Sequence, residues 1–129
     1  MGFDWRDLLP LAKTLQENCP SGITPEAAYR TAINRAYYAV YGHALCFAIE
    51  QYSYTPQGSA KDHSGIRRHF QRKRPERLST MLEKLYENRE KSDYEAIVPD
   101  LSHLAKESVD LAQQALIFIE SFWRPSSPP

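Results

Sequence analysis

"TPEAAYRTAINRAYYAVYGHALCFAIEQY", residues 24–52, is the stretch that decides the fold. Thr24 suits an N-cap, because its hydroxyl can accept an otherwise unpaired N–H of the first turn. Pro25 suits the first helical position, where no N–H is needed. Ala28, Tyr29, Ala32, Ile33, Ala36, Tyr37, Val40, Tyr41, Ala44, Leu45, Ala48 and Ile49 recur at helical spacing and predict one wide apolar stripe. A helix running to Tyr52 is about 42 Å long at 1.5 Å per residue. "SYTPQGSA", 53–60, ends it with turn-forming residues.

The same periodicity extends outward. Residues 5–18 carry Trp5, Leu8, Leu9, Leu11, Ala12 and Leu15 near helical spacing, with Pro10 as either a kink or the true helix start. "CPSGIT", 19–24, is a turn. Ile66 and Phe70 form an i, i+4 pair in a shorter helix over 62–73, and Pro75 restarts the chain. Leu78, Met81, Leu82, Leu85 and Tyr86 make the apolar face of a helix to Lys91, followed by an irregular segment over 92–99. Asp100 is positioned to cap a last helix whose stripe runs Leu101, Leu104, Ala105, Val109, Ala112, Ala115, Leu116, Ile119, Phe122 and Trp123. Alternation of the strand type is absent. The expectation is an all-α antiparallel bundle of four main helices plus a short one, in a single domain over 1–124 with a disordered Pro/Ser tail over 125–129.

Composition narrows the function. With 129 residues and 42% apolar content the chain can close one core. The formal net charge is zero, yet residues 61–77 hold seven cations (Lys61, Arg67, Arg68, Arg72, Lys73, Arg74, Arg77) against Asp62 and Glu76, a local +5. Cys19 and Cys46 form neither a metal spacing nor a disulfide framework and fit a reducing cytoplasm. No apolar run reaches the roughly 18 residues of a membrane span, and the first ten residues lack a signal-peptide pattern. Gly2 is followed by Arg6 where myristoylation wants Ser or Thr.

The histidines, His43, His63, His69 and His103, show no i, i+4 pair and no Glu-x-x-His, so no metal site is expected. No phosphate-cradling Gly loop or Gly-x-Ser-x-Gly is present, and no cofactor is implied. The run "IRRHFQRKRPER", 66–77, has two open readings: a phosphate-contacting surface with salt-dependent binding, centred on Arg67, Arg68 and Arg72, or a solvated helix and turn. Asn34, Arg35, Tyr38 and His43 flank the core stripe of residues 24–52. They serve either helix packing or a groove, or dimer seam, facing residues 88–94.

"INRAYYAVYGHA", 33–44, resembles the Ser-Arg-Ala-Tyr-Tyr-Ala-x-Phe-His-Ala signature of prokaryotic HEPN domains. "WRDLLPLAKTL" (5–15), "HSGIRRHF" (63–70) and "LEKLYENREKSDY" (82–94) are similar, in order, to three further segments of that family. The resemblance covers about residues 5–123. It implies a dimeric helical bundle with an RNA- or nucleotide-binding cleft at the seam. It also implies a place in a toxin–antitoxin or antiphage-defence module, with a nucleotidyltransferase or another defence protein as partner. Catalytic members are metal-independent RNases in which an Arg, and a His after a short gap, meet at the seam.

This sequence departs from that motif. Arg89 and its neighbour Asn88 match, but Tyr94 stands after the four-residue gap, preceded by Asp93. A phenol with a reference pKa near 10 is only about one part in a thousand ionised at pH 7, which makes it a poor general base. Gly42 holds the family's His position, and His43 is one step, about 100°, further round the helix. The resemblance therefore implies binding at Asn34, Arg35, Tyr38, Asn88, Arg89 and Asp93 without the usual cleavage. One alternative is a noncatalytic adaptor for a partner protein. Another is an RNase toxin in which Arg89 works with His43, His63 or Tyr94. Tyr94 is also a candidate for nucleotide addition by a partner transferase.

Overall fold

The computed structural model describes residues 2–58 and 60–124. The tail expected over 125–129 lies outside the described residues. A short 3-10 turn, Trp5–Asp7, leads into α1 (Leu8–Glu17), followed by α2 (Pro25–Tyr52), α3 (Ala60–Arg72), α4 (Arg77–Tyr94) and α5 (Leu101–Phe122). The protein is all-helical, with no strand among the described residues. No described helix is long and apolar enough to cross a membrane.

α2 begins and ends as its sequence demands. Thr24 Oγ1 accepts the N–H of Ala27 at 3.2 Å, and Pro25 opens the helix. Ser53, at φ 55°, adopts the left-handed conformation that turns the chain away, and the N–H of Tyr54 donates to the carbonyl of Ala48 at 3.1 Å. The helix is central, with α1, α3, α4 and α5 all packing on it. That position explains a difference from the single predicted stripe. Ala39, His43 and Phe47 form a second buried row at i, i+4, i+8, while Ile49 is exposed. A helix covered on several sides buries more than one face.

Three other expectations change. Pro10 is the third residue of α1, where its missing N–H falls among those with no intrahelical acceptor, so it neither kinks nor starts the helix. Asp100 is itself left-handed, at φ 51°, and its side chain makes no cap bond to α5. α4 continues three residues past Lys91 to Tyr94. Its end is held from outside the helix. The Arg30 guanidinium, projecting from α2, donates to the carbonyls of Ser92 and Glu95 at 2.7 Å each and of Ala96 at 3.0 Å. A cation at a helix C-terminus meets both the orphan carbonyls and the negative end of the dipole.

One cluster of buried side chains runs through all five helices, from Ala12 and Leu15 through Phe47, Ile66, Phe70, Leu82 and Leu85 to Leu116 and Ile119. Asn88 crosses it as a polar strut. Asn88 is fully buried, and its amide donates to Ser108 Oγ at 3.0 Å, linking α4 to α5. At the other end, the Gln51 side chain both accepts the N–H of Arg124 at 2.9 Å and donates to its carbonyl at 2.6 Å, fastening the end of α5 to α2.

Gly42 accounts for the position of Trp5. A Cβ at residue 42 would lie 2.1 Å from the indole. In an ordinary helix interior Gly→Ala is stabilising by roughly 1 kcal/mol. At this position Gly42→Ala is expected to reverse sign and cost about 1–3 kcal/mol by overpacking. Urea midpoints, together with Trp5 fluorescence in a Trp123→Phe background, measure both effects.

Candidate nucleic-acid interface

α2, α3 and α4 each contribute aromatic and cationic side chains to one cluster. Tyr37 is buried at its centre. Its ring lies 5.7 Å from Tyr41, one helical turn away, 5.6 Å from His63 of α3 and 5.7 Å from Tyr86 of α4. His63 stacks on Tyr41 at 4.1 Å, and its Nδ1 is 2.5 Å from the Tyr37 hydroxyl. Burial pushes the Tyr37 phenol far above its ordinary pKa and that of Tyr41 up to about 12, so both stay protonated. A phenol that donates to Nδ1 leaves the imidazole proton on Nε2. Burial, and next the positive charges of Arg89 and Arg67, hold His63 below its ordinary pKa against the opposite pull of Asp62 and Glu90. His63 is therefore a neutral imidazole at pH 7.

Arg89 lies over this cluster. Its guanidinium carbon is 5.3, 5.5 and 5.7 Å from the ring centres of Tyr86, Tyr37 and Tyr38. It is largely covered, and its charge is matched by Glu90 at 3.1 Å and Asp93 at 3.3 Å. Nε is buried without a partner. Asn34 donates to the same Asp93 oxygen at 3.1 Å, so Asn34, Asp93 and Arg89 form a polar chain from α2 to α4. Arg67 joins from α3, 4.2 Å from the Tyr86 ring centre, and donates to the carbonyl of His63 at 3.1 Å.

Of the residues expected at the site, Asn34, Tyr38, Arg67, Arg89 and Asp93 come together. Arg35 lies beside them, lining a shallow cavity of about 220 Å³ with Arg30, Thr31, Asn34 and Asp93. Three others lie elsewhere for reasons of helical geometry. Asn88 is about 100° round α4 from Arg89 and points into the core toward Ser108, which corrects its expected place in a binding groove. Tyr94, five residues from Arg89, is about 140° away and 73% exposed, whereas Asp93 at i+4 is only about 40° away and takes the contact. His43 faces α5, with Nε2 2.6 Å from Glu120 and its ring against Trp123. It shares no contact with Arg89.

The second cationic feature is a cavity of about 410 Å³ lined by Tyr54, Gln57, Gly65, Arg68, His69, Arg72 and Lys73. Its wall is tied down by Asp62, a buried carboxylate on α3. Asp62 accepts from the N–H groups of Gln57 and Gly58 at 2.9 Å each and from the Tyr54 hydroxyl at 2.8 Å. The Gln57 amide is the first cause of its lowered pKa, working against burial, and the Tyr54 hydroxyl and then the Gly58 amide add to it. Arg68, Arg72 and Lys73 form no ion pair among the described residues; Arg68 donates only to Ser64 Oγ, at 3.4 Å. Cations near the C-terminal end of α3 also complement its dipole. Elsewhere, among the described residues, no three His, Cys, Asp or Glu side chains converge.

Sequence reading missed the His63–Tyr37 contact and the Arg30 clamp. His63 carried a faint signal in lying one turn before Arg67, but nothing in the pattern paired it with Tyr37.

His43, His63 and His69 all have pKa values held below the ordinary 6.5, burial being the first cause in each. The folded state therefore resists protonation that the unfolded chain accepts. The sign follows: stability contributed by these groups is present above about pH 6.5 and is lost as pH falls through the unfolded value toward the lower folded ones. Denaturant midpoints are expected to drop between pH 7.5 and 5, and His63→Gln is expected to flatten that drop.

In comparisons with known proteins, no family model matches the sequence, no curated protein matches it and no solved structure matches the fold.

Proposed function

We propose that this chain is a HEPN-like helical bundle that pairs with a second copy and binds RNA or nucleotide, without the RNase chemistry usual in that family. Its setting is a cytoplasmic toxin–antitoxin or antiphage-defence module, with a nucleotidyltransferase or another defence protein as partner. One observation carries the reading: Arg68, Arg72 and Lys73 gather round a single cavity and form no ion pair among the described residues. Unpaired cations gathered on one surface are what a phosphate backbone requires. Arg89 has the opposite character. Its charge is already balanced by Glu90 and Asp93, which supports a positioning role for it over a role in cleavage.

A fluorescent single-stranded RNA should bind with an affinity that falls steeply with salt. Removing one cation that meets a phosphate should reduce the slope of log K against log[salt] by about 0.7. The double variant Arg68→Glu/Arg72→Glu should weaken binding and flatten the slope, while Lys106→Glu on α5 should do neither. Absence of binding at any salt concentration would leave the adaptor reading in its place.

A second reading, metal-independent cleavage, has its own support. His63 is neutral, its Nδ1 taken by the Tyr37 hydroxyl and its Nε2–H left as a donor, and it lies near two guanidiniums, Arg67 and Arg89, as groups that stabilise a phosphorane-like charge would. Incubation with total RNA in EDTA tests it. Cleavage abolished in both His63→Gln and Arg89→Ala would establish it. Cleavage no greater than that of His63→Gln would dismiss it.

A further inference from the structure

We infer that the cavity between residues 54–58 and α3 is a terminal-phosphate site, taking the di- or triphosphate of a nucleotide or the triphosphorylated 5′ end of an RNA. This deepens the proposed function and rests on it. The first ground is charge. An internal phosphodiester carries one negative charge, whereas Arg68, Arg72 and Lys73 bring three positive charges to one cavity of about 410 Å³. A chain of phosphates, or a phosphate monoester, supplies the charge that a single backbone phosphate lacks. Arg68 and Arg72, at i and i+4, stand on one face of α3, and each presents a planar fork suited to two phosphate oxygens.

The second ground is construction. The wall facing these cations is fixed in place. Gly65 leaves the room in which the Tyr54 hydroxyl sits, since a Cβ there would come within 2.4 Å of it. Tyr54, Gln57 and Gly58 all donate to Asp62, two of them to Oδ1 and one to Oδ2, and Asp62 forms no ion pair with Arg68, Arg72 or Lys73. Asp62 thus organises the wall without a direct ion pair to the cations. The volume of about 410 Å³ falls in the range of small-ligand pockets.

Binding of ATP, AMP and adenosine in EDTA, and of one RNA 12-mer carrying either a 5′-triphosphate or a 5′-hydroxyl, tests the inference with the full chain. ATP should bind at least about tenfold more tightly than AMP. Arg68→Ala and Arg72→Ala should each lower ATP affinity by about tenfold, and Lys106→Ala should not. If the 5′-triphosphate also raises RNA affinity by about tenfold, the ligand is an RNA end; if ATP binds and the two RNAs are equivalent, it is a free nucleotide. If both RNAs bind equally and ATP binds no better than AMP, the cavity follows internal phosphates. In that case this inference falls while the nucleic-acid reading stands. If none of the five probes binds, both fall.

Discussion

Six alanines of α2 (Ala28, Ala32, Ala36, Ala39, Ala44 and Ala48) are buried in the helix on which α1, α3, α4 and α5 all pack. A methyl group costs almost no side-chain entropy on burial and holds neighbouring backbones close. Between these alanines α2 inserts Tyr37 and Phe47, and the surrounding helices add Ile66 and Phe70 from α3, Leu82 and Leu85 from α4, and Leu116 and Ile119 from α5. Gly42 takes this economy to its limit by leaving the indole of Trp5 to occupy the space of a side chain. Because α2 is wrapped rather than faced, its polar residues are distributed by direction. His43 meets α5, while Tyr37, Tyr38 and Asn34 meet α3 and α4.

That division explains why the two cationic regions differ. The Arg89 region lies where three helices converge, so its guanidinium is surrounded by aromatic rings and by carboxylates from its own helix. A charge so covered persists only when it is paired. The α3 cavity lies on the side of α3 beside residues 54–58, and the cations lining it, Arg68, Arg72 and Lys73, remain exposed to solvent and solutes. The local +5 of residues 61–77 is thus expressed at the surface rather than absorbed inside.

How much was legible follows from how local each cause was. The caps at Thr24 and Pro25, and the apolar rows of α2, α4 and α5, act over one or two turns, and they identify the helices from sequence. The last turn of α4 depends on Arg30, more than sixty positions earlier, so no local pattern announces it. The second buried row of α2 was hidden because His43 reads as polar until Glu120 and Trp123 are placed against it. At the site, the Arg89–Asp93 contact obeys i, i+4 spacing and could be read directly. The Tyr37–His63 contact joins two helices, and only tertiary structure reveals it.

The Tyr54–Asp62–Gly65 arrangement also has an evolutionary consequence. Any side chain at position 65 displaces the Tyr54 hydroxyl, which in turn leaves the Asp62 carboxylate short of a donor while still buried. A single change therefore lands in a poorer state, and a compensating change at Tyr54 restores part of the stability. Effects at touching positions of this kind are not additive. The three positions should drift together or not at all, so the wall of the α3 cavity changes by concerted replacement.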